Sequence, residues 1–231
     1  MGTIVIIGGT SGVGRALAVR LAQQGESVVI TGRDRSDAEG VAAEISAGVS
    51  DVRGLSVDLS RPHGIREALS DITHVDHLVV TAVERDLGGV RDYAIARAVN
   101  LATIKTVGYV ATVSALQDRM AKDASVVFFG GISKDFPFPG SINISTVNSA
   151  LSGMVAAIAR ELAPIRVNSV HPGIIGDSPF WSGRQEMIQS DRARTLTGRL
   201  ATTDDVVDAV VFLMRNRSAN KVALSVDGGF V

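Results

Sequence analysis

The first chemical signal in the chain is the run Gly8-Gly9-Thr10-Ser11-Gly12-Val13-Gly14-Arg15. It follows a short apolar segment and opens an amphipathic one. Glycine lets a backbone turn sharply and approach a pyrophosphate closely. A helix beginning there adds free N–H groups and the positive end of its dipole. Placed between a strand and a helix, the loop reads as a dinucleotide site, with Gly8, Thr10, Ser11, Gly12, Val13 and Gly14 around the phosphates. Other chemistry is excluded by scarcity. Cysteine is absent, and the aromatics are Phe 7, Tyr 2 and Trp 1. There are thus no disulfides, thiolate nucleophiles or Cys-based zinc sites, and few platforms for stacking single-stranded nucleic acid. A net charge of −1 leaves no cationic excess for a nucleic-acid backbone or an anionic membrane. His74-x-x-His77 has marginal metal spacing but no nearby third ligand, so no metal is expected.

The elements that must position this loop follow from patterning. The chain has 231 residues, 45% hydrophobic and 20% charged, as expected for one globular domain. Continuous β-branched runs at 3–7, 27–31, 53–57, 77–81, 125–129, 166–170 and 221–226 read as strands buried on both faces. Amphipathic stretches at 13–24, 36–47, 61–70, 90–119, 143–162 and 203–215 read as helices. This alternation predicts an α/β fold: a Rossmann-type, doubly wound parallel sheet of about seven strands with helices on both faces. No basic segment precedes a long apolar one at the N-terminus, and no apolar run approaches the roughly 18 residues of a membrane span. A cytoplasmic protein is the expectation.

The G-x-x-x-G-x-G spacing at 8–14 resembles the short-chain dehydrogenase/reductase family, and further motifs extend the resemblance along the whole chain. Asp58-Leu59 matches the family's adenine-contacting position and Asn100 its structural and catalytic Asn. Arg166-Val167-Asn168-Ser169-Val170-His171-Pro172-Gly173 matches its R-V-N-x-x-x-P-G run. Gly198-Arg199 and Val226-Asp227-Gly228-Gly229 match its closing signatures. The family's N-N-A-G reads Val80-Thr81-Ala82-Val83, where Thr81 and Ala82 still let a cofactor pass. The resemblance implies a nicotinamide cofactor contacted by Thr81, Ala82, Val83, Pro172, Gly173 and Ile175, and a small substrate that contains a carbonyl. It also implies a homodimer or homotetramer, which the small residues of 149–157 favour. Where NAD-preferring members carry a carboxylate this chain has Gly32, followed by Arg33, whose guanidinium suits a 2′-phosphate. NADP(H) is therefore expected, with Asp34 pointing away if the chain stays extended; the alternative is that Arg33 and Arg35 form only a solvated loop.

The same register shows what is missing. Active relatives use Ser, Tyr and Lys, with Tyr and Lys as Y-x-x-x-K. The Tyr position falls on Ile144, the Lys position on Asn148 and the Ser position on Gly131, and 140–160 contains neither Tyr nor Lys. The family Thr after the Pro-Gly turn becomes Asp177. The candidate catalytic residues are then Asn100, Ser133 and Asn148. Ser133 could bind a carbonyl and Lys134 could donate a proton, against a solvated loop as the plainer reading. Asn148 could bond a ribose but cannot shift a neighbour's pKa by charge. Ser145 points about 100° from the lost Tyr. Tyr109 lies nine residues past Asn100, about 900° on, and should face away. Tyr93 reads as an interface aromatic, and His171 as structural.

Three functions remain open. One is an NADPH-dependent carbonyl reductase drawing its proton from Ser133, Lys134, water or the substrate. The second is a non-redox isomerase, lyase or cyclase on the same scaffold. The third is an inactive cofactor-binding sensor or partner. In the covering segment 177–198, Phe180, Trp181 and Met187 could wall a substrate or simply pack.

Overall fold

In the computed structural model, residues 2–46, 50–84, 86–181 and 183–231 are described. Residue 47 of the second expected helix and residue 182 of the covering segment lie outside them. The strands are β1 (Thr3–Ile7), β2 (Ser27–Gly32), β3 (Val52–Ser56), β4 (Val75–Val80), β5 (Met120–Phe129), β6 (Arg166–Pro172) and β7 (Ala223–Val226). They form one seven-stranded sheet in the order β3-β2-β1-β4-β5-β6-β7, and every pairing is parallel. The predicted fold class is the one observed.

Alternation along each strand explains the two-sided core. Val5, Ile7, Leu78, Val80, Val126 and Phe128 face one layer of helices. Ile4, Ile6, Val28, Ile30, Val79 and Val127 face the other. The second layer holds α1 (Gly12–Gln23), with Leu17 and Leu21 inward, and α8 (Thr203–Arg215), with Val206, Val210 and Leu213 inward. The α8 N-terminus carries a capping box between Thr202 and Asp205. α2 (Arg35–Ser46) begins where Asp34 Oδ1 accepts from Asp37 N at 2.9 Å. The condition under which Asp34 would point away, an extended chain past Arg33, is not met: the chain turns at once into the helix expected over 36–47, and Asp34 caps it.

The first layer holds the short α3 (Ile65–Ala68) and two longer helices. One begins as α4 (Ile95–Ala102), passes through a π turn at Thr103–Gly108 and continues as α5 (Tyr109–Leu116). The other is α6 (Ile142–Glu161). The sequence reading began the first of these at residue 90; it starts five residues later, so Tyr93 precedes the helix. Two helical stretches, Ile95–Arg119 and Ile142–Glu161, are long and apolar enough to cross a membrane by length and composition. That corrects the expectation that no segment reaches this length. Both rest against the sheet, and their apolar residues Tyr109, Val113, Leu151 and Val155 belong to its core.

The R-V-N run is structural. Arg166 is buried and its guanidinium donates to the carbonyl oxygens of Leu213, Met214 and Asn216 at 2.8, 2.5 and 2.9 Å. These are end-of-helix acceptors of α8, which a cation suits. Asn168 donates to Ala219 O and accepts from Val222 N, both at 2.9 Å, tying the α8–β7 connection to β6. Between them, α7 (Gln185–Ala193) buries no residue. It therefore lacked the apolar period by which a helix is read from sequence.

Candidate active site

The strand order reverses between β1 and β4, and ligands of doubly wound sheets bind outside the carboxyl ends of the strands at such a switch. The glycine loop lies there. Gly8 (φ +92°) and Gly12 (φ +53°) occupy the left-handed region. A Cβ on Gly14 would sit 2.2 Å from Gly8 O and 2.7 Å from Thr81 Oγ1, whereas one on Gly12 would meet nothing within 4 Å. Gly14 is thus required by packing, and Gly12 borders open space. Thr81 Oγ1 donates to Ile7 O and Gly8 O at 3.1 and 2.9 Å, which locks β4 to the loop. Thr81 N and Ala82 N both donate to Ile7 O. The Ser11 side chain makes no capping hydrogen bond, and the first turn of α1 holds no acidic residue. The helix N-terminus is left electropositive toward the open side, as an anion site requires. The residues present fit a dinucleotide.

Around this cradle, Gly32 faces Thr10: a Cβ there would lie 2.8 Å from Thr10 Cγ2. Arg33 is exposed beside it, and Arg35 lies 3.8 Å from Glu39 on α2. Asp58 accepts from Ser60 N and Oγ, while Leu59 buries its side chain in the core and leaves only its backbone to a ligand. Val83 is exposed. On the far side, Gly173 N donates to Val226 O at 3.0 Å, following the buried Pro172, and Ile175 bridges to Ala201. Asp177 Oδ1 accepts from Thr203 N and Oγ1 at 2.8 and 2.9 Å, so its carboxylate anchors the start of α8.

At the family's catalytic positions, the side chains assemble differently. Ser133 lies in a 3-10 turn (Ile132–Lys134) after β5 and is 6% exposed. It is therefore not part of a solvated loop, which corrects the plainer sequence reading. Asn148 Nδ2 donates to Ser133 Oγ at 2.9 Å. Asn148 Oδ1 accepts from Lys105 Nζ at 2.7 Å. Lys105 is 1% exposed, and burial pushes its ammonium down to about 7. Spacing on the helix that carries the family's Lys does not reveal this lysine, which lies on another helix. Lys105 reaches Asn148 from the π turn of the neighbouring helix. In the sequence Lys105 is a lone lysine in an otherwise apolar stretch, which marks a buried charge but not its partner.

That π turn also corrects the prediction for Tyr109. One extra residue in the turn brings Tyr109 back by about 100° relative to a regular helix. Its hydroxyl is buried, donates to Ala82 O at 2.9 Å and lies 3.4 Å from Phe129 O. Its ring stacks on Phe128 at 5.4 Å. Burial raises its pKa above the ordinary phenol value. Tyr109 thus braces the backbone just past the ends of β4 and β5. Asn100 Nδ2 donates to Glu84 Oε2 at 2.6 Å. Lys134 pairs with Asp135, and Ser145 Oγ bonds Ser141 Oγ at 2.9 Å. His171 is buried, and its Nδ1 accepts from Gly131 N at 3.3 Å. Its proton therefore sits on Nε2, 2.9 Å from Ser169 Oγ. Desolvation, helped by Lys134, lowers its pKa to about 4, so it is neutral and structural. His74 and His77 bond Asp76 and Ser125, and among the described residues no group of three or more His, Cys, Asp or Glu gathers around a common point. Phe180 and Trp181 pack edge to face at 4.7 Å with Arg184 over Phe180, while Met187 is exposed. A cleft of about 630 Å³ between the 89–92 loop and the start of α6 includes Phe138, Ile142 and Ser145.

Comparison with known proteins agrees with this geometry. A family model described as enoyl-(acyl carrier protein) reductase matches residues 8–231. The 3-oxoacyl-[acyl-carrier-protein] reductase FabG of Aquifex aeolicus is 31% identical over 229 residues, covering 90% of this chain and 88% of that one. The short-chain dehydrogenase/reductase ATR9 of Stachybotrys chlorohalonatus is 29% identical over 243 residues, covering 98% and 96%. Among solved structures, a blue fluorescent protein from a metagenomic library, in complex with NADPH, superposes with a TM-score of 0.89 at 25% identity, covering 100% and 98%. The chain belongs to the short-chain dehydrogenase/reductase family, whose oxidoreductases use nicotinamide cofactors.

Proposed function

We propose that this chain is an NADP(H)-dependent carbonyl reductase that holds its substrate oxygen with Ser133 instead of the family's Ser and Tyr. The observation that carries this reading is the buried Ser133 hydroxyl, fixed by Asn148 two residues past the vacated Ser position and beside a glycine cradle that fits a dinucleotide. Bound NADPH would supply a hydride to a carbonyl carbon. The chain's own residues bind and orient. Gly8 to Gly14 and the α1 N-terminus receive the pyrophosphate, Arg33 the 2′-phosphate, and Asp58 and the Leu59 backbone the adenine. Thr81, Ala82, Val83, Pro172, Gly173 and Ile175 border the nicotinamide side. Asn100, held by Glu84, and Asn148 complete the polar wall. Lys134 is committed to Asp135, so the Ser133 hydroxyl is the better-placed source of the proton that the alkoxide takes up after hydride transfer, and solvent water would restore it.

A cytoplasmic homodimer or homotetramer goes with this reading. Its support is the exposed small or β-branched surface of Val107 and Val110 on one helix and Gly153, Ala156 and Ala157 on α6. The test is NADPH oxidation, followed at the nicotinamide absorbance, with a panel of ketones, quinones and enones. Turnover lost on damaging Gly12 supports the reading. A second reading, a non-redox enzyme or cofactor sensor, is favoured by Ile144 at the Tyr position. Tight NADPH binding without oxidation of any panel member would select it.

A further inference from the structure

We propose that Lys105 is the positioning residue of this site: delivered by the π turn, its ammonium holds Asn148 in the one orientation that leaves the Ser133 hydroxyl free to donate to a substrate oxygen. The substrate part of this inference rests on the carbonyl-reductase reading above; the orientation part does not.

The argument is one of hydrogen-bond direction. A lysine ammonium has three donors and no acceptor. Whatever touches Lys105 Nζ at 2.7 Å must accept, so Asn148 presents Oδ1 to it. The amide is then committed: Nδ2 points the other way and donates to Ser133 Oγ at 2.9 Å. Ser133 Oγ accepts there, so its own hydrogen is directed elsewhere. A polarised chain results, running Lys105, Asn148, Ser133, with a donor at its end. Deprotonated Lys105 has a lone pair. It can accept from Asn148, the amide can turn over, and the Ser133 hydroxyl is then free to spend its hydrogen on Asn148. The charge on Lys105 therefore sets the polarity of a hydroxyl two bonds of the network away.

The surroundings of Lys105 sharpen the point. A buried ammonium is costly without a strong partner, and the hydrogen bond found for Lys105 is the one to a neutral amide. Burial itself lowers the Lys105 ammonium, and His171 on β6 feels its charge. The 3-10 turn Pro62–Gly64, which carries His63, and α6 both pack on the π turn. Of the charged groups elsewhere at the site, Glu84 and Asp86 precede α4, Arg97 lies on it, and Lys134 ends the 3-10 turn after β5 with Asp135 next to it. Arg97 and Asp86 face each other at 3.5 Å, Glu84 holds Asn100, and Lys134 holds Asp135. His171, already down at about 4, is neutral across the range in which Lys105 changes charge.

The experiment follows the Asn148 side-chain NH2 resonances of ¹⁵N-labelled protein from pH 5.5 to 9, assigned by their loss in Asn148→Ala. In the wild type they should move with a midpoint near 7, the value to which burial brings Lys105. In Lys105→Met they should not move. The proposal is overturned if the wild-type signals are constant, or if they move equally in Lys105→Met. Constant wild-type signals overturn the proposal even if Lys105→Met fails to fold, and Lys105→Gln then serves as the second non-titrating variant. In parallel, kcat on any ketone turned over should fall as pH rises through the same midpoint. Lys105→Met should be about tenfold or more slower and flat with pH. Turnover whose pH profile is unchanged by Lys105→Met sinks this inference and spares the reductase reading. Absence of all turnover sinks that reading, and the resonance titration still decides the orientation.

Discussion

A buried ammonium binds its proton less tightly in the folded chain than in the unfolded one, and this has a sign. Lys105 is lowered from 10.5 to about 7, so between those values the unfolded chain holds more protons. Stability contributed by this site therefore rises with pH across that window and is reduced below it. Lys105→Met removes the dependence and should raise the melting temperature near pH 6.5, the mark of a residue kept for function at a cost in stability. Thermal unfolding at pH 6.5 and 9 in both proteins checks this; parallel pH dependences would contradict it. At Arg33, Arg33→Asp should weaken NADPH binding roughly ten- to a hundredfold through loss of a charge-assisted pair. Fluorescence titration reads that change, and unaltered affinity would assign the 2′-phosphate elsewhere. The residues of the cradle were legible in the sequence because glycine spacing has a single steric meaning. Lys105 was not legible, because its partner is 43 residues away. No spacing rule along one helix reaches a side chain supplied by its neighbour.

Elements were legible where packing imposes a period. All seven strands appear near their predicted bounds, although β5 begins five residues earlier; the central strands are apolar on both faces, whereas the edge strands β3 and β7 are only partly buried. α7 escaped notice because it buries nothing. The π turn escaped because a single added residue leaves no mark in composition, yet it changes which way Tyr109 faces. The tightest element junction is the strand–turn–helix at 7–14. Gly14→Ala would force a methyl within 2.2 Å of Gly8 O and 2.7 Å of Thr81 Oγ1. Backbone on one side leaves no flexible group to yield, so the loop must shift. We expect a loss of about 2 kcal/mol or more and no measurable NADPH affinity. Chemical denaturation and cofactor titration of the variant test both; native stability with full affinity would mean that the loop is softer than its geometry.

For the whole molecule, the doubly wound topology followed from the alternation of element types and the chirality of parallel crossovers. How copies of the chain associate did not, because an exposed apolar residue has the same letter as a buried one. The structure separates them. Val99, Val107 and Val110 remain exposed while Val113 on the same helical stretch is buried. An outward apolar face of this kind predicts association, so light scattering should give a mass that is a multiple of 24.1 kDa. A monomeric mass at micromolar concentration would refute it.

Gly131 carries a consequence for the order in which this site can be altered. A Cβ there would stand 3.0 Å from Asn148 Nδ2, and Asn148 is itself the acceptor for Lys105. Reinstating the family's residues singly is therefore self-defeating. Gly131→Ser presses on the amide, and Asn148→Lys sets two ammonium groups against each other in a buried space. Asn148→Lys alone should be less stable than Asn148→Lys combined with Lys105→Met, a difference that urea unfolding can measure. Gly131, Asn148 and Lys105 lie within one another's reach, so installing the family's Ser and Lys here calls for replacing Lys105 as well.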